Sequence, residues 1–230
     1  MAAAQRGRGW KVMMAPFLTQ ERFPKLWLLF QAIFGATREK KRLALKHLGD
    51  HRNVIEIGCS AGVLALAFAD VPGLRYLGVD IDPQAIELAK ARFADRKNVS
   101  FSTQTMRELG DQGRTFDYVL FANILHHVDD PTAVDLIRDA SRLVAPGGTM
   151  VVIEPDVLRP DDSLLVRSMY KLERGLFRRP PAEYERLMHE AGVRPTEFSS
   201  EDVSIDTLPG LTCGHLLVYK FDSGTAAHGR

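Results

Sequence analysis

Cysteine is scarce: the 230-residue chain holds two, Cys59 and Cys213. Two distant cysteines without a C-x-x-C make neither a disulfide framework nor a redox motif, and a reducing cytoplasm is the expected compartment. Excess charge is missing as well. The 30 Lys and Arg face 29 Asp and Glu, a formal net charge of +1. No global cationic field exists to hold a nucleic-acid backbone. The apolar stretch Leu26–Phe34 falls short of the roughly 20 residues that span a bilayer. No small-residue cleavage site lies near it, so a secretory signal is not expected. Internal repeats and low-complexity linkers are also missing. What is present, 45% hydrophobic and 26% charged residues, is ordinary globular composition for one domain with an elaboration.

Residues 20–48 read as helical. Phe23, Leu26, Trp27, Phe30, Ile33 and Phe34 recur at three- and four-residue steps, the spacing of a helix face. That face is broad for one-sided packing, so core burial and peripheral membrane contact through residues 23–34 both stay open. Gly35 interrupts the pattern, and REKKRLALKHL follows as a second helix with a basic face.

From Asn53 the pattern changes. Short apolar strands at Asn53–Ile57, Arg75–Asp80, Val99–Thr103, Phe116–Ala122 and Thr149–Glu154 alternate with helices at Ala61–Phe68, Pro83–Phe93 and Pro131–Leu143. Pro146-Gly147-Gly148 reads as a turn. This alternation predicts right-handed βαβ units and a parallel sheet, an α/β fold. A helix over Pro180–Ala191 and strands at Thr196–Ser204 and Cys213–Phe221 complete the chain. The link between the last two strands is too short for a helical crossover, so that pair is expected to be antiparallel. Residues 156–179 form an insertion after the fifth strand. Ligands of such sheets sit beyond the carboxyl ends of the strands.

The first strand runs into Glu56-Ile57-Gly58-Cys59-Ser60-Ala61-Gly62. Glycines there relieve a tight turn and let backbone approach a ligand. Ser60 and Val63 occupy positions where the dinucleotide fingerprint wants glycine, so a pyrophosphate fits poorly. Asp80, roughly 20 residues on, has the spacing of a ribose-binding carboxylate. A nucleoside without a pyrophosphate satisfies both facts.

VIEIGCSAGVLAL, YLGVDIDPQAI, FDYVLFANILHHVDDP and LVAPGGTMVVIEPD, in that order and spacing, resemble the class I S-adenosylmethionine-dependent methyltransferases, small-molecule branch. The resemblance covers about residues 37–221. It implies a Rossmann-like seven-stranded, mostly parallel sheet with its last strand antiparallel and helices on both faces. It also implies a tail and helical lid over residues 1–48, a core over 49–222 that includes the insertion, and a flexible tail at 223–230. S-adenosyl-L-methionine is the implied cofactor. Glu56, Gly58, Ser60 and Gly62 match the loop around its methionine part, Asp80 the ribose carboxylate, and Ile81 the apolar residue against adenine. Thr105 and Met106 stand where the family meets the adenine amino group, although Thr105 replaces an acidic residue. Asn123 and Leu125 stand where backbone meets the methionine amino end.

His126 and His127 follow the fourth strand at its carboxyl end, beside the implied methyl position. An imidazole titrates near neutral pH and suits a general base; bracing the loop is the competing role. His127 is preferred narrowly, because His126 directly follows Leu125 and stands closer to the cofactor. The expected acceptor is a small apolar or amphipathic molecule offering O, N or C. Trp27 and Phe30 are its candidate apolar contacts. Arg178 and Arg179, in an insertion that also carries Arg167, Lys171 and Arg174, are candidates for an anionic group; solvated helix charges are the alternative.

Other functions compete. Gly58-Cys59-Ser60-Ala61-Gly62 matches the G-x-S-x-G elbow of serine hydrolases, with Asp156 and His215 following in triad order. Against it, helices rather than strands precede the motif, and no HGGG-like run is present. A cofactor-binding cyclase or a non-catalytic partner keeps the fold and changes the function. Nucleic-acid methylation is disfavoured, because Asn123-Ile124-Leu125-His126 departs from the Asn/Asp-Pro-Pro-aromatic tetrad of such enzymes. No metal is expected, since His126-His127-Val128-Asp129-Asp130 alternates faces.

Overall fold

Glycine, asparagine and aspartate punctuate the apolar runs from residue 53 onward, and the runs between them become strands. A computed structural model describes residues 37–172 and 175–223. The expectations for the lid, for Trp27, Phe30 and residues 23–34, for Arg174 and for residues 224–230 lie outside the described residues.

Seven strands, β1 (Asn53–Ile57), β2 (Arg75–Val79), β3 (Val99–Ser102), β4 (Phe116–Ala122), β5 (Val144–Pro155), β6 (Glu197–Ile205) and β7 (Leu208–Asp222), form one sheet in the order β3-β2-β1-β4-β5-β7-β6. The first five pair in parallel, and β7 runs antiparallel to both β5 and β6. The sheet is therefore mostly parallel with its last strand reversed. Strand order turns around between β1 and β4, which opens a crevice beyond their carboxyl ends.

Helices α1 (Thr37–Lys46), α2 (Ala65–Phe68), α3 (Pro83–Arg92), α4 (Met106–Asp111), α5 (Asp130–Ser141), α6 (Leu164–Leu172) and α7 (Pro181–Glu190) surround the sheet, with a 3-10 turn at Leu125–His127. Their starts follow capping chemistry. The Asp82 side chain accepts from Gln84 N–H at 2.9 Å and Asp129 from Thr132 N–H at 3.1 Å, with Pro83 and Pro131 in the first turns, where a missing N–H costs nothing. α1 is capped from across the fold: Asp206 accepts from Thr37 and Arg38 N–H at 3.0 and 2.9 Å.

Alternate residues of the central strands feed two cores. Val54, Tyr76, Tyr118 and Val151 pack on one face with Leu43 and Phe68; Ile55, Val119 and Val152 pack on the other with Ile137, Leu187 and Leu217. Both faces are covered, as a parallel sheet requires.

Three elements differ from expectation. Pro146-Gly147-Gly148 lies inside β5, not in a turn: Val144 already pairs with Phe116, and the register slips before Tyr118, so the extra residues make a bulge. The β6–β7 link is mostly strand, and only Asp206 and Thr207 turn the chain, with register slips around Ser204 absorbing the mismatch. The helix expected over Ala61–Phe68 starts at Ala65 because Gly58, Ser60 and Gly62 all hold positive φ, at 68°, 50° and 70°, which no α-helix tolerates. No helix among the described residues is long and apolar enough to cross a membrane.

Gly78 of β2 shapes the floor of that loop. A Cβ there would lie 2.7 Å from Cys59 Sγ and 2.8 Å from the Phe101 ring. Gly78→Ala should destabilise the chain by about 1–3 kcal/mol, read from denaturant unfolding with an unchanged m-value.

Candidate active site

The loop after β1 is built on the end of β2. Gly58 and Cys59 N–H both donate to Val79 O, at 2.7 and 3.0 Å. Ser60 N–H donates to Asp80 Oδ2 at 2.8 Å, and Asp82 N–H to Asp80 Oδ1 at 2.9 Å. Each Asp80 oxygen thus carries one backbone donor and keeps a lone pair for a further hydroxyl. Burial raises the Asp80 pKa, and the Asp82 and Ser60 amides oppose that rise. Ile81, beside it, is 58% exposed, an apolar surface next to that carboxylate.

Asn123 closes the other side. It takes a left-handed conformation, φ 61°, and its Oδ1 is buried without a partner. The next side chain, Ile124, fills the space over Gly58, where a Cβ would come within 2.6 Å of it. A buried acceptor lacking a donor, beside Ile124 and the glycine loop, fits the cationic amine of S-adenosylmethionine. Glu56 lies near the end of β1, before Gly58. It is buried and accepts a hydrogen bond from the Tyr76 hydroxyl. Burial pushes its carboxyl up to about 8; the Tyr76 bond opposes this and the Asp80 charge adds to it.

Thr105 and Met106, which the family resemblance sets beside the adenine amino group, open α4. Thr105 Oγ1 accepts from Glu108 N–H at 3.2 Å, and Glu108 accepts from Thr105 N–H at 2.8 Å, a reciprocal capping box. The Met106 side chain is buried in the second core.

The histidine turn is held by a residue that sequence reasoning missed. Glu154, wholly buried at the end of β5, accepts from Ile124, Leu125 and His126 N–H at 2.7, 2.7 and 3.2 Å, and from His126 Nδ1 at 2.7 Å. The available signal was a carboxylate in the apolar run VVIEP, since an unpaired charge is almost never placed in a buried strand. His126 is fully buried, and its Nε2 has no hydrogen-bond partner. His127 is exposed, its ring centroid 4.0 Å from that of His126. Leu125 is core.

Arg179 is not available to an acceptor, which corrects the sequence expectation. It is 2% exposed and donates to Asp130 Oδ1 (2.9 and 2.8 Å), Leu125 O (2.8 Å), Phe177 O (3.0 Å) and Val128 O (2.8 Å). All five guanidinium N–H groups are engaged, because carbonyls left over by a 3-10 turn demand donors. Arg178 lies 4.6 Å over the Tyr170 ring and donates to Tyr170 O at 3.0 Å. Asp129 and Asp130, the carboxylates nearest the histidines in sequence, are taken by the α5 cap and by Arg179 and Arg186.

The hydrolase reading fails on His215. Its two ring nitrogens meet Asp162 at 2.6 Å and Asp202 at 2.7 Å, which leaves neither for Ser60 or Asp156.

Comparison with known proteins agrees with this geometry. A model of the methyltransferase domain family matches residues 54–148. A ubiquinone biosynthesis O-methyltransferase of Brucella ovis is 32% identical over 165 residues, covering 69% of this chain and 62% of that protein. The chain therefore spans less than two thirds of the curated relatives it matches. Among solved structures, the mitomycin 7-O-methyltransferase MmcR superposes with a TM-score of 0.65 at 19% identity, covering 88% of this chain and 59% of that one. The N-methyltransferase NodS of Bradyrhizobium japonicum WM9, in complex with S-adenosyl-L-homocysteine, gives 0.61 at 20% identity, covering 85% and 90%. The match of residues 54–148 to the methyltransferase domain family agrees with the resemblance to the class I S-adenosylmethionine-dependent methyltransferases.

Proposed function

We propose that the chain methylates a hydroxyl oxygen of a small apolar or amphipathic molecule, with S-adenosylmethionine as donor and His126 as general base. The observation that carries this reading is the buried imidazole with Nδ1 on Glu154 and an unpartnered Nε2. The named activity of the Brucella relative, O-methylation, supports the choice of oxygen. Leu158, Leu164, Leu176 and Phe177, exposed in the insertion, support an apolar acceptor. Arg178 and Arg179, both engaged by the protein, lend no support to an anionic one.

An ionised carboxylate only accepts hydrogen bonds, so Glu154 draws the hydrogen of the neutral imidazole to Nδ1 and leaves the lone pair on Nε2. The bound cofactor supplies a sulfonium methyl that is already electrophilic. Nε2 would take the hydroxyl proton of an acceptor placed in line with that methyl. The imidazolium produced is met at once by the Glu154 carboxylate. Asp80, Asn123 and Glu56 hold the donor, and in-line placement of the acceptor supplies about 7–11 kcal/mol. His127, preferred from the sequence, is exposed, whereas His126 is buried and oriented by Glu154.

Asp80→Ala should weaken S-adenosylmethionine binding about 10–100-fold in calorimetry, the scale of one charge-assisted hydrogen bond; unchanged affinity would remove Asp80 from the site. Glu56 predicts a pH dependence. Between its ordinary value of 4.5 and about 8, the carboxyl is ionised in the unfolded chain and protonated in the folded one. The folded form binds more protons there, so stability of the cofactor-free chain falls as pH rises through that window. The melting temperature should decline from pH 5 to 8, and Glu56→Gln should flatten the decline. With 4-tert-butylcatechol as probe acceptor, His126→Gln should lower kcat about 10²–10⁴-fold at neutral pH. Its cofactor affinity should hold within about twofold, and His127→Gln should keep turnover within about threefold. The reverse pattern would assign the base to His127.

A further inference from the structure

We propose that Arg179 is a positioning residue for His126, clamping the return of the insertion against the imidazole so that Nε2 keeps one direction. The proposal rests on the reading of His126 as base. A short 3-10 turn leaves N–H groups unpaired at its start and carbonyls at its end. Glu154 takes the N–H groups of residues 124–126. Arg179 takes the carbonyls of Leu125 and Val128 on either side of the two histidines. The turn is held at both ends by charges of the sign its dipole favours.

Arg179 belongs to the insertion side of the site. The same guanidinium binds Phe177 O, and Phe177 N–H donates to His126 O at 3.0 Å. Two residues earlier, Gly175 lies against the imidazole: a Cβ there would fall 2.1 Å from His126 Cδ2 and 3.2 Å from Nε2. The ring is therefore held by Glu154 at Nδ1 and packed by the insertion backbone at Cδ2. Asp130, shared between Arg179 and Arg186, anchors the guanidinium from α5. A lysine has three donors at one point and cannot span two carbonyls and a carboxylate as the planar fork does.

The test uses the full chain with S-adenosylhomocysteine bound and ¹⁵N-labelled histidine, which requires no acceptor. In the wild type, His126 should show one tautomer with the hydrogen on Nδ1; His126→Gln assigns its signals. In Arg179→Lys, the two nitrogen shifts should move toward an averaged pair while cofactor affinity stays within about twofold. Gly175→Ala, which leaves every Arg179 partner in place, should do the same by pushing the strap off the ring, and it serves if Arg179→Lys fails to fold. With 4-tert-butylcatechol, both variants should lose at least about tenfold in kcat with the acceptor KM within about threefold. Millimolar guanidinium ion should restore part of the turnover lost in Arg179→Ala. A raised acceptor KM at unchanged kcat would make Arg179 a substrate contact and overturn the proposal. Wild-type imidazole signals in both variants would also overturn it. If His126→Gln kept full turnover, the base reading would fail and this proposal with it. Loss in His126→Gln beside wild-type kcat in Arg179→Lys would overturn the positioning role alone.

Discussion

One buried carboxylate holds together the turn that follows β4. Glu154 is placed at the end of β5, opposite the end of β4, where four N–H groups converge on its two oxygens. An isolated carboxylate so deep would cost several kcal/mol, and donors from a turn with no other partners offset that cost. The turn in turn exists because those donors are satisfied. The left-handed Asn123 before it, Ile124 over Gly58, and the orientation of the His126 ring all follow from this arrangement.

The cofactor half was readable from residues because its physics is local. A left-handed loop needs glycine at defined places, and Gly58 and Gly62 occupy them. Asp80 at the end of β2 announces itself by spacing, and the structure bonds it to the loop through Ser60 N–H. The βαβ alternation gave the parallel sheet, and the short last connection gave the reversed strand. Boundaries failed where two devices compete: Pro146-Gly147-Gly148 has turn chemistry, yet pairing with β4 draws it into a bulged strand.

The region around the histidine turn was less readable because its interactions join distant residues. Arg179 looks like an anion ligand when only its neighbours Arg178 and Arg174 are in view. Its real partners are the carbonyls of Leu125 and Val128 and the carboxylate of Asp130, some 50 residues away in sequence, and no spacing rule links them. Thr105 shows the converse. Glu108 three residues on is a capping-box signature, and the structure forms that box.

The reversed strand β7 also has a consequence for how the chain is made. It lies between β5 and β6 and pairs residue 149 with residue 222. The outer edge of β5, the strand that carries Glu154, therefore stays bare until nearly the last described residue has left the ribosome. A growing chain of this topology completes its nucleoside-binding half first, with one apolar strand edge exposed for the seconds that the remainder takes to emerge.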